Sequence, residues 1–330
     1  MAEIIPRWEW RSFGDRFGEA PGRLAQFEPS APRESDEIYL LSAAGGNVKI
    51  RDALMDVKLL REVDANGLEQ WTPVMKAGFP LAAADTVQVL AALGASTPTP
   101  PRAAITQDEF LAQFAAPGGA VRVVEVHKRR VRYTVGGCMA ELSDVVANGK
   151  ATRTIAVESE DAAGVMRAVR ELGLGGYTNT SYPRGLAALL DGAPMRYAVI
   201  DAGTNSIKFH IAEQDAAGHW RTIADRAELT RLGEGLVPEG AITDAACRRA
   251  AEAIAGMVGE ARTHGVRAIA AVGTAGLRMA SNRADVVAAI EARSGVRVDV
   301  ISGEEESRLA FMAARSGLGA TKGSLVVFDT

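Results

Sequence analysis

The sequence predicts two domains of unlike class: an α+β, antiparallel strand-rich domain over residues 1–192 and an α/β domain over residues 193–330. Three observations predict this. A length of 330 residues suits two domains of ordinary size. In the first half, apolar runs interleave with polar residues at the period of a strand, whereas the second half alternates helix-period stretches with short β-branched runs. Between them, the segment SYPRGLAALLDGAPM (181–195) reads as the lead into a linker, so the boundary falls near residue 193.

Composition narrows the function classes. Charged residues are 24% and hydrophobic residues 47%, which excludes general disorder. Lys plus Arg (37) nearly balances Asp plus Glu (41), and neither half is basic enough for a nucleic-acid domain. No apolar run approaches the roughly 18–20 residues of a membrane span, and MAEIIPRWEW lacks the pattern of a signal peptide. Cys138 and Cys247 are far apart, which argues against a disulfide scaffold or a zinc site and points to a reducing cytoplasm. Any polyanion site must therefore be a local concentration of cations, no membrane or nucleic-acid partner is expected, and a homodimer stays open.

In chain order, strands are expected at 37–42, 48–52 and 55–60, with turn chemistry at Asp64–Gly67 and a Pro-rich loop at 94–103. Further strands follow at 121–135, 138–147 and 152–160, the last two joined by an Asn148-Gly149 hairpin turn. A helix then runs from Asp161 to Gly173. The second half opens with three strands, 196–201, 207–212 and 220–229, and a helix spans about 244–263. A strand at 266–272, a helix capped by Asn282, the strand VRVDVIS, the helix EEESRLAFMAARSG and the strand SLVVFD complete a mixed sheet with parallel crossovers.

The candidate chemistry sits at turns and on strand faces. In Asp201-Ala202-Gly203-Thr204-Asn205-Ser206 a strand ends in an acid before a Gly-containing turn. Such a turn can admit a phosphate to backbone amides, with Thr204, Asn205 and Ser206 as added donors, Lys208 as charge and Asp201 as a Mg²⁺ ligand. The same residues also suit a plain hairpin. Arg278, after the turn 273–276, can clamp a phosphate. Glu304, Glu305 and Glu306 open a helix, where acids favour the macrodipole, and one of them can activate a water. In the first half, Lys49 with Arg51, then Lys128, Arg130 and Arg132, then Glu158 with Glu160 share parity. They suggest a barrel with a charged lumen, against the plainer alternative of solvent-facing strands. His127, His210 and the cysteines read as packing or surface residues.

Four segments, DAGTNSIKFHIA, ELTRLGEGL, GTAGLRMASN and VISGEEESRLAF, resemble in order and spacing the exopolyphosphatase/guanosine pentaphosphatase (Ppx/GppA) family of the actin-like ATPase (ribonuclease H-like) superfamily, over about 196–330. The resemblance implies hydrolysis of a terminal phosphoryl group from polyphosphate or guanosine pentaphosphate, with Mg²⁺ or Mn²⁺. It assigns Asp201 and Asp329 to metal, Gly203, Thr204, Asn205, Ser206 and Arg278 to phosphate, and Glu306 to water activation. The family's second phosphate loop should follow Asp329, so the chain is expected to be a fragment lacking a second lobe. RWEWRSF, VKIRD, DVKLL, KRRVRY, AELSDV, AVESED and NTSYPRGL resemble the CYTH (triphosphate tunnel) domain. This implies a tunnel in which Lys49, Arg51, Lys58, Lys128 and Arg130 bind phosphates and Glu9, Glu158 and Glu160 bind metal. The family's ExExK signature stands here as Arg7, Glu9 and Arg11, one metal ligand short. The expected activity is that of an exopolyphosphatase with a polyphosphate-binding tunnel domain. The alternatives are a guanosine pentaphosphate or other triphosphate phosphohydrolase, and a non-catalytic polyphosphate sensor.

Overall fold

The computed structural model describes residues 5–95, 103–115, 118–215, 218–237, 240–317 and 327. The chain divides into two compact units, Met1–Leu174 with Asn179–Ala193, and Gly175–Thr178 with Pro194–Thr330.

The first unit contains β1 (Arg7–Gly14), α1 (Ala20–Leu24), β2 (Arg33–Leu41), β3 (Asn47–Arg51), β4 (Leu54–Val63), β5 (Glu69–Gly78), α2 (Ala83–Ala92), α3 (Gln107–Phe114), β6 (Arg122–Val135), β7 (Cys138–Ala147), β8 (Lys150–Ser159), α4 (Ala162–Glu171) and α5 (Tyr182–Asp191). The strands close a barrel in the order β1-β5-β4-β3-β2-β6-β7-β8, every neighbouring pair antiparallel. Its polarity is inverted relative to an ordinary core. Val48, Ile50, Met55 and Val57 point outward into a cluster with Val89, Leu90 and Phe110 of α2 and α3. Their alternating partners Lys49, Arg51, Asp56 and Lys58 line the inside, as period-2 alternation requires.

Local chemistry fixes the connections. Asn148 and Gly149 both take positive φ (44° and 80°), which a two-residue turn of right-handed hairpin twist demands. Asp64 Oδ1 accepts the amides of Asn66 and Leu68 at 2.8 Å, closing the turn between β4 and β5. Thr106 and Glu109 form a reciprocal capping box at the start of α3.

The sequence reading missed β1, α1, β5, α2 and α3, and it read 181–195 as the lead into a linker where the structure has a helix. Ser181 caps α5, Pro183 occupies its first turn and Gly192 ends it in the left-handed region (φ 64°). Tyr182 and Leu186 of α5 are buried with Phe13, Tyr39, Leu41, Val124, Val126 and Val145, so α5 stoppers the lumen.

The second unit contains β9 (Met195–Ala202), β10 (Ser206–Gln214), β11 (Trp220–Leu229), α6 (Asp244–Thr263), β12 (Ala268–Gly273), α7 (Ala275–Met279), α8 (Arg283–Ser294), β13 (Asp299–Val300) and α9 (Gly303–Gly317). The sheet order is β11-β10-β9-β12-β13, with β10 antiparallel to both neighbours and β12 parallel to β9 and β13. Ala198, Ile200, Ala202, Ile207, Phe209 and Ile211 present one apolar face to Ile254, Met257 and Val258 of α6 and to Val286 and Ile290 of α8. The expected strand VRVDVIS shrinks to two residues, because only Asp299 and Val300 find partners, Val272 and Gly273, at the end of β12. The expected strand SLVVFD, with Asp329, and most of the Pro-rich loop lie outside the described residues. Register aligns Ala202, Gly273 and Val300 side by side. The C-terminal ends of three parallel strands therefore meet at one edge, the position where open α/β sheets place ligands.

Candidate functional site

At that edge the sequence motifs converge. The 203–205 turn is gripped from two sides. The amides of Gly233 and Arg231 donate to the carbonyls of Thr204 and Asn205, both at 2.8 Å. On the other side Gly276 abuts Thr204, where an added Cβ would lie 3.0 Å from Oγ1 and 3.2 Å from Cα. Gly233 of RLGEGL (231–236) and Gly276 of GTAG (273–276) thus serve close approach to the loop. Thr204 and Asn205 stay exposed and Ser206 half-buried, available to a ligand. Gly203 differs from its expected part. Its amide donates to the carbonyls of Asp201 (3.1 Å) and Ser206 (3.2 Å), so it closes the turn rather than offering a free donor to phosphate. Asp201, at the tip of β9, lies 3.9 Å from Lys208.

Arg278 sits on α7, and its Nη1 donates to the Ile301 carbonyl at 3.0 Å and to Glu306 Oε2 at 2.9 Å. The three acids of α9 separate by helix geometry. Glu305 turns to Arg308 in a two-pronged pair at 2.7 Å, and Glu306 reaches Arg278. Both members of the Arg278–Glu306 pair are about one-third exposed. A cation placed to neutralise an oxyanion, a carboxylate beside it and a hydroxyl- and amide-lined turn are the parts that phosphoryl transfer to water requires.

The barrel lumen is a second charged site. Register puts Lys49, Arg51, Lys128, Arg130 and Arg132 on the inner face, as their parity suggested. The structure adds acids that the sequence reading passed over. Glu37 of β2, with a fully buried side chain, lies 2.8 Å from Lys128, 3.1 Å from Lys49, 3.6 Å from Arg51 and 3.9 Å from Arg130. Burial opposes its ionisation, but Lys128 and Lys49 outweigh that and hold the carboxyl well below the usual range. Lys128 also donates to Tyr39 Oη at 2.8 Å and lies 3.9 Å from the Tyr182 ring centroid. Burial first and then Lys49 pull its pKa down to about 7. Tyr182 stacks on Tyr39 at 4.9 Å, and burial raises both phenols. Glu141 accepts from Arg132 (3.0 Å) and Ser143 (3.1 Å). The EIYLL alternation carried the signal for Glu37 and Tyr39, since both share the parity of the lumen face. The segment NTSYPRGL (179–186) carries part of the resemblance, but the sequence reading assigns Tyr182 no role in the lumen.

The residues fit a divalent cation differently in the two sites. At the sheet edge, Asp201 is a single carboxylate at the end of β9 next to the 203–205 turn, a donor that would suit Mg²⁺ only if substrate oxygens and water completed its shell. In the barrel the expected metal set does not fit. Glu9 and Glu158 face each other across β1 and β8, yet Arg11 takes Glu9 at 2.8 Å and Arg7 takes Glu158 at 3.1 Å. Burial would raise the Glu9 pKa, but Arg11 and Lys58 lower it. Glu160 lies in a bend beyond β8 and is exposed, so it does not share the strand face of Glu158. Among the described residues no group of three or more His, Cys, Asp or Glu side chains is arranged to hold a metal. Among them also no helix is long and apolar enough to cross a membrane.

The chain is 30% identical over 139 residues to "Exopolyphosphatase 1" of Mycobacterium leprae, covering 41% of this chain and 40% of that protein. The chain therefore spans about two-fifths of the length of the curated relatives it matches. The crystal structure of an exopolyphosphatase from Cytophaga hutchinsonii matches with 28% identity and a TM-score of 0.36 over 37% of this chain and 39% of that one. HpAC1 of Hippeastrum, described with a dominant triphosphatase activity, matches with 14% identity and a TM-score of 0.31 over 56% of this chain and 96% of its own. The model of the Ppx/GppA phosphatase family matches residues 211–330, and that part of the chain is a Ppx/GppA domain.

Proposed function

We propose that this protein is a phosphoanhydride hydrolase of the exopolyphosphatase kind, removing terminal phosphoryl groups from linear polyphosphate, with the barrel as a polyphosphate-binding module. The observation that carries the reading is the meeting of the 204–206 turn, Arg278 and Glu306 at one sheet edge. The relatives named exopolyphosphatase support the substrate class.

In this reading Thr204, Asn205 and Ser206 hold the terminal phosphoryl oxygens and Arg278 neutralises charge on them. Glu306, kept in place by Arg278, accepts a proton from the attacking water. Asp201 would hold Mg²⁺ together with substrate oxygens, which screens charge between phosphates. In-line attack forms the new P–O bond as the bridging P–O bond breaks, and the shortened chain leaves as an anion needing no strong acid. The barrel binds rather than hydrolyses, because the carboxylates that would hold a metal there are paired with Arg7 and Arg11.

The test is phosphate release by the full-length gene product on long-chain polyphosphate, tripolyphosphate and guanosine pentaphosphate, with and without Glu306→Gln. Release from polyphosphate that depends on Glu306 supports the reading. Turnover of guanosine pentaphosphate alone moves the substrate to that nucleotide, and no turnover of any of the three by the intact protein refutes the hydrolase.

A further inference from the structure

We propose that Glu37 is a resident counter-anion, standing where a phosphoryl group of a bound chain would stand, and that it makes the barrel selective for linear phosphate chains over single phosphate ions. The inference rests on the barrel reading above.

Two strands flanking β2 deliver the cations, Lys49 and Arg51 from β3 and Lys128 and Arg130 from β6. All four nitrogens come within 4 Å of one carboxylate with no solvent exposure. Without that carboxylate, four like charges would crowd a buried space. With it, Glu37 answers all four, while Asp56 faces only Lys49 across the β3–β4 pair and Asp52 lies 3.8 Å from Arg51 alone, so the cradle is held together with positive charge left over. The pairing is uneven. Lys128 and Lys49 are engaged at 2.8 and 3.1 Å, whereas Arg51 and Arg130 stand back at 3.6 and 3.9 Å.

This unevenness sorts anions by length. A lone phosphate entering the cradle shares lysines already committed and meets the Glu37 carboxylate at contact range, where repulsion is as strong as the attraction of any one cation. A chain of three or more phosphates meets the same Glu37 repulsion, while Glu9 and Glu141 are each already paired with an arginine. It gains the loosely held Arg51 and Arg130 and, along the lumen, Lys58, whereas Arg11 is already held by Glu9 at 2.8 Å. One fixed repulsive group against several distributed attractive ones is how a site rejects a small competitor while keeping a longer ligand.

The test is isothermal titration of the full chain with tripolyphosphate and, separately, with orthophosphate, for wild type and Glu37→Gln. Expected is a wild-type preference for tripolyphosphate of at least about 100-fold. In Glu37→Gln both anions should bind more tightly, orthophosphate more so, and the preference should narrow by about tenfold. A preference that stays or widens, or weaker tripolyphosphate binding in Glu37→Gln, overturns the proposal while leaving the barrel reading intact. No binding of tripolyphosphate to wild type refutes the barrel reading, and the proposal with it. Should Glu37→Gln not fold, the pair is removed together. Lys49→Met alone should weaken tripolyphosphate binding, and adding Glu37→Gln should restore it to within about threefold of wild type. A double variant no tighter than Lys49→Met overturns the proposal.

Discussion

Replacing Glu306 by Gln separates what its carboxylate does for the fold from what it does for the reaction. The Gln keeps the size of the side chain and can still accept a hydrogen bond from Arg278, now 2.9 Å away, but it cannot take a proton from water. The structural loss is small. Both partners are about one-third exposed, and an exposed ion pair stabilises by about 0.2–1 kcal/mol before screening by salt. Arg278 also keeps its bond to the Ile301 carbonyl. The melting midpoint should therefore fall by no more than a few degrees. Loss of a general base lowers kcat by about 10²–10⁴, or roughly 3–5 kcal/mol of barrel-independent transition-state stabilisation. The two effects differ by several-fold in energy, so they are separable. The assays are phosphate release from polyphosphate at saturating substrate and thermal unfolding of the same preparations. A kcat within threefold of wild type, with the fold intact, would refute the role given to Glu306. A rate loss matched by an equal loss of stability would show a structural residue instead.

Three further outcomes follow from the geometry. Gly276→Ala places a Cβ 3.0 Å from Thr204 Oγ1 and 3.2 Å from its Cα. It should cost about 1–3 kcal/mol in urea unfolding and raise KM through a displaced turn. Ala53 is held at φ 55° in the hairpin between β3 and β4, and Ala53→Gly should stabilise by about 0.5–1 kcal/mol, once the greater freedom of glycine in the unfolded chain is subtracted. Lys128 has its pKa depressed to about 7 in the fold against an ordinary 10.5, so between those values the unfolded chain binds the extra proton and stability from this group rises with pH. Denaturant unfolding from pH 7 to 9 should show wild type gaining on Lys128→Met by up to about 1.4 kcal/mol per pH unit, and a flat or falling difference would contradict the depressed ammonium.

Much of the fold was legible where the physics is local. The exact span of β7, the Asn148-Gly149 turn and the helix at 244–263 follow from period, turn chemistry and capping, which neighbouring residues decide among themselves. What was missed depends on closure. β5 mixes Trp71, Pro73 and Lys76 without a clean alternation, because bulges at Val57/Lys58 and Leu60/Glu62 of its partner shift the register between its two ends. α5 is short, begins with Pro183 and contains Gly185, so it looks like a linker until the barrel gives Tyr182 and Leu186 a place to be buried.

The charged residues show the same limit from another side. Parity on β3 and β6 put Lys49, Arg51, Lys128 and Arg130 on common faces, which is a statement about each strand alone. Whether those cations are free depends on which strand lies between them, and that strand is β2, whose Glu37 is 12 residues from Lys49 of β3 and 91 from Lys128 of β6. The same holds at the sheet edge. Glu304, Glu305 and Glu306 are equivalent in the sequence until Arg308 claims Glu305 and Arg278, on a different helix, claims Glu306. In both sites the titratable group that matters is selected by a partner distant in sequence. A cationic strand face is therefore evidence for an anion site only after the fold has shown how many of its charges an internal carboxylate already holds. By that measure the two sites are unlike. At the sheet edge Arg278 and Glu306 form a one-to-one pair, each about one-third exposed, which in the proposed reaction substrate and water would divide between them. The barrel sets four cations around one buried acid, an excess of charge that calls for a ligand carrying several negative charges at once.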